Sequence, residues 1–357
     1  MVDHPNQYRA RSHSCEWLFC LLLCSLLLAG CERGPDVLQL QGATMGTTWN
    51  VTLVESPQGL DRDSAQSLVQ ARLDAVNASM STYRADSEIS RFNDTPVGEW
   101  FAVSELFLRV LDAALQVGEA SGGGYDISVG PLVDLWGFGA AGIKLEPPAP
   151  DDVKAVLPRV GQGALAVEYE AGRIRRDSAI ALDVSSIAKG FGVDEVVAAL
   201  VQAGVTRYLV EVGGEMRVAG ASPRGDAWRI AIEQPQAGGM DIAQAISLPA
   251  GAIATSGDYR NYFEADGKRY SHTIDPRTGY PVTHDLASVT VVHEQAMLAD
   301  AWATALSVLG AEEGREVAQQ AGLAVYFIRR TPEGFVPSYT PAFEAYLESS
   351  TEKRAGS

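Results

Sequence analysis

All four cysteines, Cys15, Cys20, Cys24 and Cys31, fall within the first 31 of 357 residues, and none follows. Everything beyond that point must hold together without disulfides or thiolate-bound metal, on a hydrophobic core alone. The composition permits this, because 46% of the residues are hydrophobic and 20% charged, the balance of a chain that buries a core rather than of a disordered one. Charge is lopsided, with 28 Lys and Arg against 45 Asp and Glu for a net −17, which excludes a basic nucleic-acid binder.

The cysteine-bearing segment reads as an address. Arg9 and Arg11 precede an apolar run, Trp17 to Gly30, that is short for a transmembrane helix and of signal-peptide length. It closes on Leu28-Ala29-Gly30-Cys31, which resembles the bacterial lipobox, where cleavage precedes the Cys and that Cys takes the lipid. A plain secretory signal or a short membrane segment is the alternative. The expected organisation is a signal peptide over 1–30, a lipid-anchored tether over 31–36, a catalytic body over 37–340 and a C-terminal tail over 341–357.

Within the body, period-two alternation predicts strands at Val37–Leu40 and Thr47–Val54. Helical spacing predicts helices over Ser64–Met80, Ser104–Ala120, Ser186–Ala203 and Ala296–Leu309. Pro147-Pro148-Ala149-Pro150 reads as the start of a surface excursion. Short strands are expected at Ala164–Tyr169, Ile174–Arg176, Ala179–Val184, Arg269–Ile274 and through much of the second half. Because strands and helices are mixed rather than strictly alternating, the expected class is α+β with antiparallel sheet.

Chemistry-bearing residues are few. His4 and His13 lie in the address segment, so His272, His284 and His293 alone remain for acid–base work, and no pair has the spacing of a helical zinc site. A metal would then be a hard cation held by oxygen. Asp300 and Thr304, four apart on a predicted helix, share one face and suit half of a magnesium site; a dipole-favoured Asp and a core Thr are the competing reading. Asp183-Val184-Ser185-Ser186 runs from a strand into a helix, with Ser185 or Ser186 as cap, N–H groups open to an anion and Lys189 one turn on. Ser186-Ile187-Ala188-Lys189 also spells S-x-x-K, the nucleophile motif of penicillin-recognising enzymes, but no S-D-N follows. His272, beside the turn set by Asp275, Pro276 and Gly279, is either a presented imidazole or a solvent-facing one. The glycine pairs near Gly124 and at Gly213-Gly214 give neither a P-loop nor a Rossmann fingerprint.

Taken in order, Met45-Gly46-Thr47-Thr48-Trp49, Ser81-Thr82-Tyr83-Arg84, Tyr125-Asp126-Ile127-Ser128-Val129-Gly130-Pro131, Asp183 to Gly190, Val212-Gly213-Gly214, Thr255-Ser256-Gly257-Asp258-Tyr259, His272 to Gly279 and Asp300-Ala301-Trp302-Ala303-Thr304 resemble the motifs of the ApbE family, the FAD:protein FMN transferases. The resemblance implies a two-lobed, T-fold-like single catalytic unit. It further implies cleavage of FAD with Mg²⁺, transfer of FMN through a phosphoester to a Thr or Ser hydroxyl of a target protein, and release of AMP. Targets would be quinone reductase or Rnf-type electron-transfer subunits carrying an S/T-G-A-T-like site. By the same resemblance Met45, Tyr83, Gly124, Tyr125, Asp126, Asp183, Lys189 and Ile274 contact FAD. The metal lies among Ser186, Asp300 and Thr304, and His272 or Asp258 is the base. The chain would be lipid-anchored at Cys31 on the periplasmic face of the bacterial inner membrane. Alternatives are a metal-dependent FAD pyrophosphatase, a non-catalytic FAD-binding lipoprotein and an S-x-x-K acyl-enzyme.

Replacing the one cysteine that would survive cleavage tests the address. Cys31→Ala is expected to abolish incorporation of radiolabelled fatty acid and to move the chain out of the membrane pellet; labelling that persists would exclude Cys31 as the anchor.

Overall fold

The β1 strand (Val37–Thr44) turns back into β2 (Thr47–Val54) through only two residues, Met45 and Gly46. Both take positive φ, 48° and 70°, the mirror-image turn whose twist matches a right-handed hairpin. The computed structural model describes residues 34–236, 241–257 and 261–347. The signal segment, Cys31, Asp258 and the end of the tail lie outside the described residues.

From this hairpin a sheet grows strand by strand: β3 (Tyr208–Val212), β4 (Glu215–Ala219), β5 (Ala250–Gly257), β6 (Leu286–His293), β7 (Ala324–Thr331) and β8 (Gly334–Tyr339). The eight lie side by side in chain order, each antiparallel to its neighbours. One face carries four long helices, α1 (Arg62–Met80), α2 (Glu105–Ala120), α3 (Ser185–Gln202) and α4 (Ala296–Gln320). The other face is covered by a hairpin, Trp228–Glu233 with Ile242–Leu248, and by the 3-10 turn Pro341–Tyr346, whose Phe343 is fully buried. With both faces covered, β6 is buried along nearly its whole length, and its sequence Leu-Ala-Ser-Val-Thr-Val-Val loses the alternation of a one-sided strand.

A smaller lobe packs Leu132, Trp136, Val153, Phe263 and Ile274 together. Its Trp136 indole N–H donates to the Gly279 carbonyl at 2.8 Å, tying a short helix, Gly130–Leu135, to the turn after His272. The arrangement is α+β with antiparallel sheets, as the mixed pattern predicts.

Two contacts lock α3 against α4. At Gly190 an added Cβ would sit 2.2 Å from the Ala296 carbonyl oxygen, so only glycine permits this crossing. The α4 N-terminus lacks a side-chain cap of its own; Asp194, on α3, supplies one, accepting from Ala296 N–H at 3.1 Å and Met297 N–H at 2.9 Å. Arg217 Nη1 holds the same carboxylate at 2.6 Å.

Several elements differ from the sequence pattern for identifiable reasons. Ala179–Val184 is no strand beyond one bridge, Ala181 with Val129, because its backbone is engaged elsewhere. Leu182 exchanges two hydrogen bonds with the Asn93 amide, and Asp183 N–H donates to Ile127. Arg269–Ile274 splits in two, Lys268–Ser271 pairing with Tyr262–Ala265, and Ile274–Asp275 with Tyr280–Pro281. Pro150 opens a helix, Pro150–Val156, as proline at a first helical position does. Finally, α4 continues past Leu309 to Gln320 across a kink at Gly310, whose φ of 80° breaks the helical period.

Asp194 is the most direct place to test the helix lock. Asp194→Ala leaves two helix N–H groups and Arg217 without their acceptor, and a loss of about 2–3 kcal/mol in stability is expected. Urea unfolding followed by circular dichroism reads it; a change below a few tenths would mean that α4 is capped otherwise.

Candidate active site

A cleft of about 730 Å³ opens where the ends of β3, β4 and β5 meet the start of α3 and the first turns of α4. Tyr83, Gly124, Tyr125, Asp126 and Asp183 line it from the helical side, and His272 and Ile274 from the smaller lobe. Lys189, Ser186, Asp300 and Thr304 complete the set, so all but two of the residues expected at the site share one cavity. Met45 is not among the lining residues: its side chain packs against both main core clusters and ends 3.0 Å from where a Cβ on Gly192 would lie. Asp258 lies outside the described residues.

The α3 helix begins at this cleft without a side-chain cap, its Ncap being Val184. Neither Ser185 nor Ser186 caps it as the sequence suggests. Instead Asp183 Oδ1 accepts from Ser185 N–H at 2.8 Å, shaping the turn, and Ser186 Oγ donates to the Tyr125 hydroxyl at 3.0 Å. Ser185 N–H is thus taken, and Ile187 N–H donates to the Val184 carbonyl at 3.1 Å, so of the first three helix amides only Ser186 N–H has no acceptor among the described residues; together with the positive end of the helix dipole it suits an anion in the cavity. Tyr125 is 3% exposed, and burial raises its phenol far above the usual range, so it stays a neutral hydrogen-bonding partner. Asp126 braces the loop, its carboxylate accepting from Ser128 N–H at 2.7 Å and Gln162 N–H at 2.9 Å. Tyr83 stands at the mouth with 73% of its surface exposed, a ring available for stacking.

One turn into α3, the Lys189 ammonium meets Glu215 Oε1 at 2.6 Å. Glu215 is 3% exposed, and its Oε2 is buried with no hydrogen-bond partner among the described residues. Burial, reinforced by nearby Asp300, raises the Glu215 carboxyl to about 8 despite the lysine. Asp300 is raised as well, by burial first, with Lys189 and the Gly190 amide pulling back. Nothing in the sequence pattern singles out Glu215, although the glycine pair just before it marks a tight approach to the cleft.

Asp300 Oδ2 accepts from Gly190 N–H at 3.0 Å, and Oδ1 accepts no hydrogen bond among the described residues. One turn along, Thr304 Oγ1 lies 3.2 Å from Ser256 Oγ. An available carboxylate oxygen beside hydroxyls is a hard donor set that fits Mg²⁺. Among the described residues no three His, Cys, Asp or Glu gather as a metal cage. His272 has its Nδ1 2.9 Å from the Asn261 carbonyl. A carbonyl can only accept, so Nδ1 carries the proton in this contact.

A helix N-terminus, a lysine and hard oxygen donors gathered in one cleft define a site for a phosphorylated ligand. The model of the ApbE family matches residues 45–327, and the chain belongs to that family. A Vibrio cholerae protein named FAD:protein FMN transferase is 42% identical over 323 residues, covering 90% of this chain and 96% of its own. Its Haemophilus influenzae counterpart of the same name is 41% identical over 331 residues, covering 91% and 96%. Among solved structures, the flavin transferase ApbE from Vibrio cholerae superposes with a TM-score of 0.82 at 40% identity, over 88% of this chain and 100% of that one. The ApbE protein of Thermotoga maritima gives 0.79 at 27% identity over the same shares.

The buried carboxyl makes a pH-dependent prediction. Its folded pKa lies above the unfolded value, so folding is penalised increasingly as pH rises from about 4.5 to about 8, and fully beyond. Glu215→Gln removes that penalty. The melting temperature of the variant relative to wild type is expected to be higher at pH 9 than at pH 5, and an offset independent of pH would show that Glu215 does not titrate this way.

Proposed function

We propose that this chain transfers FMN from FAD to a Thr or Ser hydroxyl of a target protein, forming a phosphoester and releasing AMP. The observation that carries the reading is the convergence of the uncapped α3 N-terminus, Lys189 and the Asp300–Thr304 pair on one cleft. The relatives named for this activity, matched over nearly their whole length, support it.

In this reading the Ser186 amide at the α3 N-terminus and Lys189 receive the pyrophosphate, and Tyr83 stacks on an aromatic ring of the dinucleotide. Asp300, Thr304 and Ser186 would hold Mg²⁺, which supplies charge neutralisation on the phosphates. The acceptor oxygen attacks the FMN-side phosphorus, the bond to the AMP phosphate breaks, and His272 Nε2 takes the hydroxyl proton. The neutral, buried Tyr125 keeps Ser186 oriented. Anchoring at Cys31 on the periplasmic side of the inner membrane, and targets among quinone reductase or Rnf-type subunits with an S/T-G-A-T-like site, belong to the same proposal.

The decisive assay incubates the full chain in detergent with FAD, Mg²⁺ and an acceptor bearing that site, then views a denaturing gel under ultraviolet light. A fluorescent acceptor band is expected; free FMN and AMP without a band would favour the pyrophosphatase, and intact bound FAD a carrier. Asp300→Ala is expected to lower the rate at least a hundredfold and to abolish its dependence on added Mg²⁺, about 3 kcal/mol of lost charge stabilisation.

A further inference from the structure

The Lys189–Glu215 pair is poorly built for stability. A buried polar contact stabilises a fold only when the remaining polar atoms of its partners are satisfied, and here Glu215 Oε2 is shut away from solvent with no partner among the described residues. A neutral apolar pair would cost less. Unfavourable buried polar groups of this kind persist where a site uses them.

The local geometry indicates what the pair is for. Glu215 is the first residue of β4, directly after the Gly213-Gly214 turn, both glycines having positive φ. The aliphatic stem of Lys189 passes over that turn so closely that a Cβ on Gly213 would lie 3.1 Å from Lys189 Cδ and 2.8 Å from Thr47 Cγ2. The stem is thus seated on bare backbone, and the ammonium is held at its tip by Glu215 Oε1 at 2.6 Å. A lysine side chain otherwise spreads over many rotamers, and fixing one costs up to about 2 kcal/mol of entropy. Seat and carboxylate meet that cost before any ligand arrives.

We propose that Glu215 is a positioning residue for flavin transfer, fixing the Lys189 ammonium at the cleft wall in the orientation that meets the dinucleotide pyrophosphate. Although it lines the cleft, it is nearly fully buried there, and its role runs through Lys189. This rests on the transfer reading above.

A double-mutant cycle on the full chain tests it. Glu215→Gln is expected to lower kcat for acceptor flavinylation about tenfold, with the KM for FAD changed less than twofold, because the charge of Lys189 remains while the amide that replaces the carboxyl holds it less firmly. In a Lys189→Met background the same change should alter kcat less than twofold. Glu215→Asp, which withdraws the carboxylate by one methylene, should lie between wild type and Glu215→Gln, and should have no effect in the Lys189→Met background; it serves if Glu215→Gln does not fold. Equal fractional losses in both backgrounds, or an unchanged kcat in Glu215→Gln, would overturn the proposal. If wild type leaves the acceptor unlabelled, the transfer reading fails instead. The rate of AMP release from FAD then replaces flavinylation as the readout of the same four proteins, with the same expected and overturning results.

Discussion

Everything at the cleft depends on how closely α3 and α4 can cross. The missing side chain of Gly190 lets the two backbones touch, and its amide then reaches the Asp300 carboxylate across the contact. A β-carbon there would push α4 away and take Asp300 and Thr304 with it, while Ser186 and Lys189 stayed on α3. The phosphate-facing helix end and the oxygen donors are therefore indexed to each other by one residue's lack of bulk. Asp194, one turn further along α3, fixes the same pair of helices in the axial direction by capping α4.

Charge imposes the second requirement. A chain with net charge −17 that receives a pyrophosphate works against its own field, so positive character must be supplied locally. The structure concentrates it in a helix N-terminus and a lysine, and surrounds these with carboxyls whose protonation burial favours.

Much of this is legible in the sequence, for physical reasons particular to each element. The Thr47–Val54 alternation and the Ala296–Leu309 stripe follow from period, and the cleft residues from Tyr83 to Thr304 come from ordered motifs. Sequence could not reveal that Ala179–Val184 gives its backbone to the Asn93 amide rather than to a ladder, because that partner is remote in the chain. Nor could it separate Met45, a residue held in a tight turn with its side chain turned into the core, from the cleft residues that follow it. Glu215 escaped because a lone acid at a strand start carries no pattern; only burial beside Lys189 distinguishes it.

The eight strands lie in space in the order in which they occur along the chain. Each connection therefore leaves and re-enters the sheet at adjacent positions, however long it is. The stretch between β2 and β3 runs through three of the four long helices and a small three-stranded sheet, yet closes a gap of one strand spacing. Closure entropy grows only with the logarithm of such a length, by roughly 0.6 kcal/mol per doubling. Homologous chains can thus lengthen or trim these excursions, and with them the walls of the cleft, without disturbing the register of the sheet that supports it.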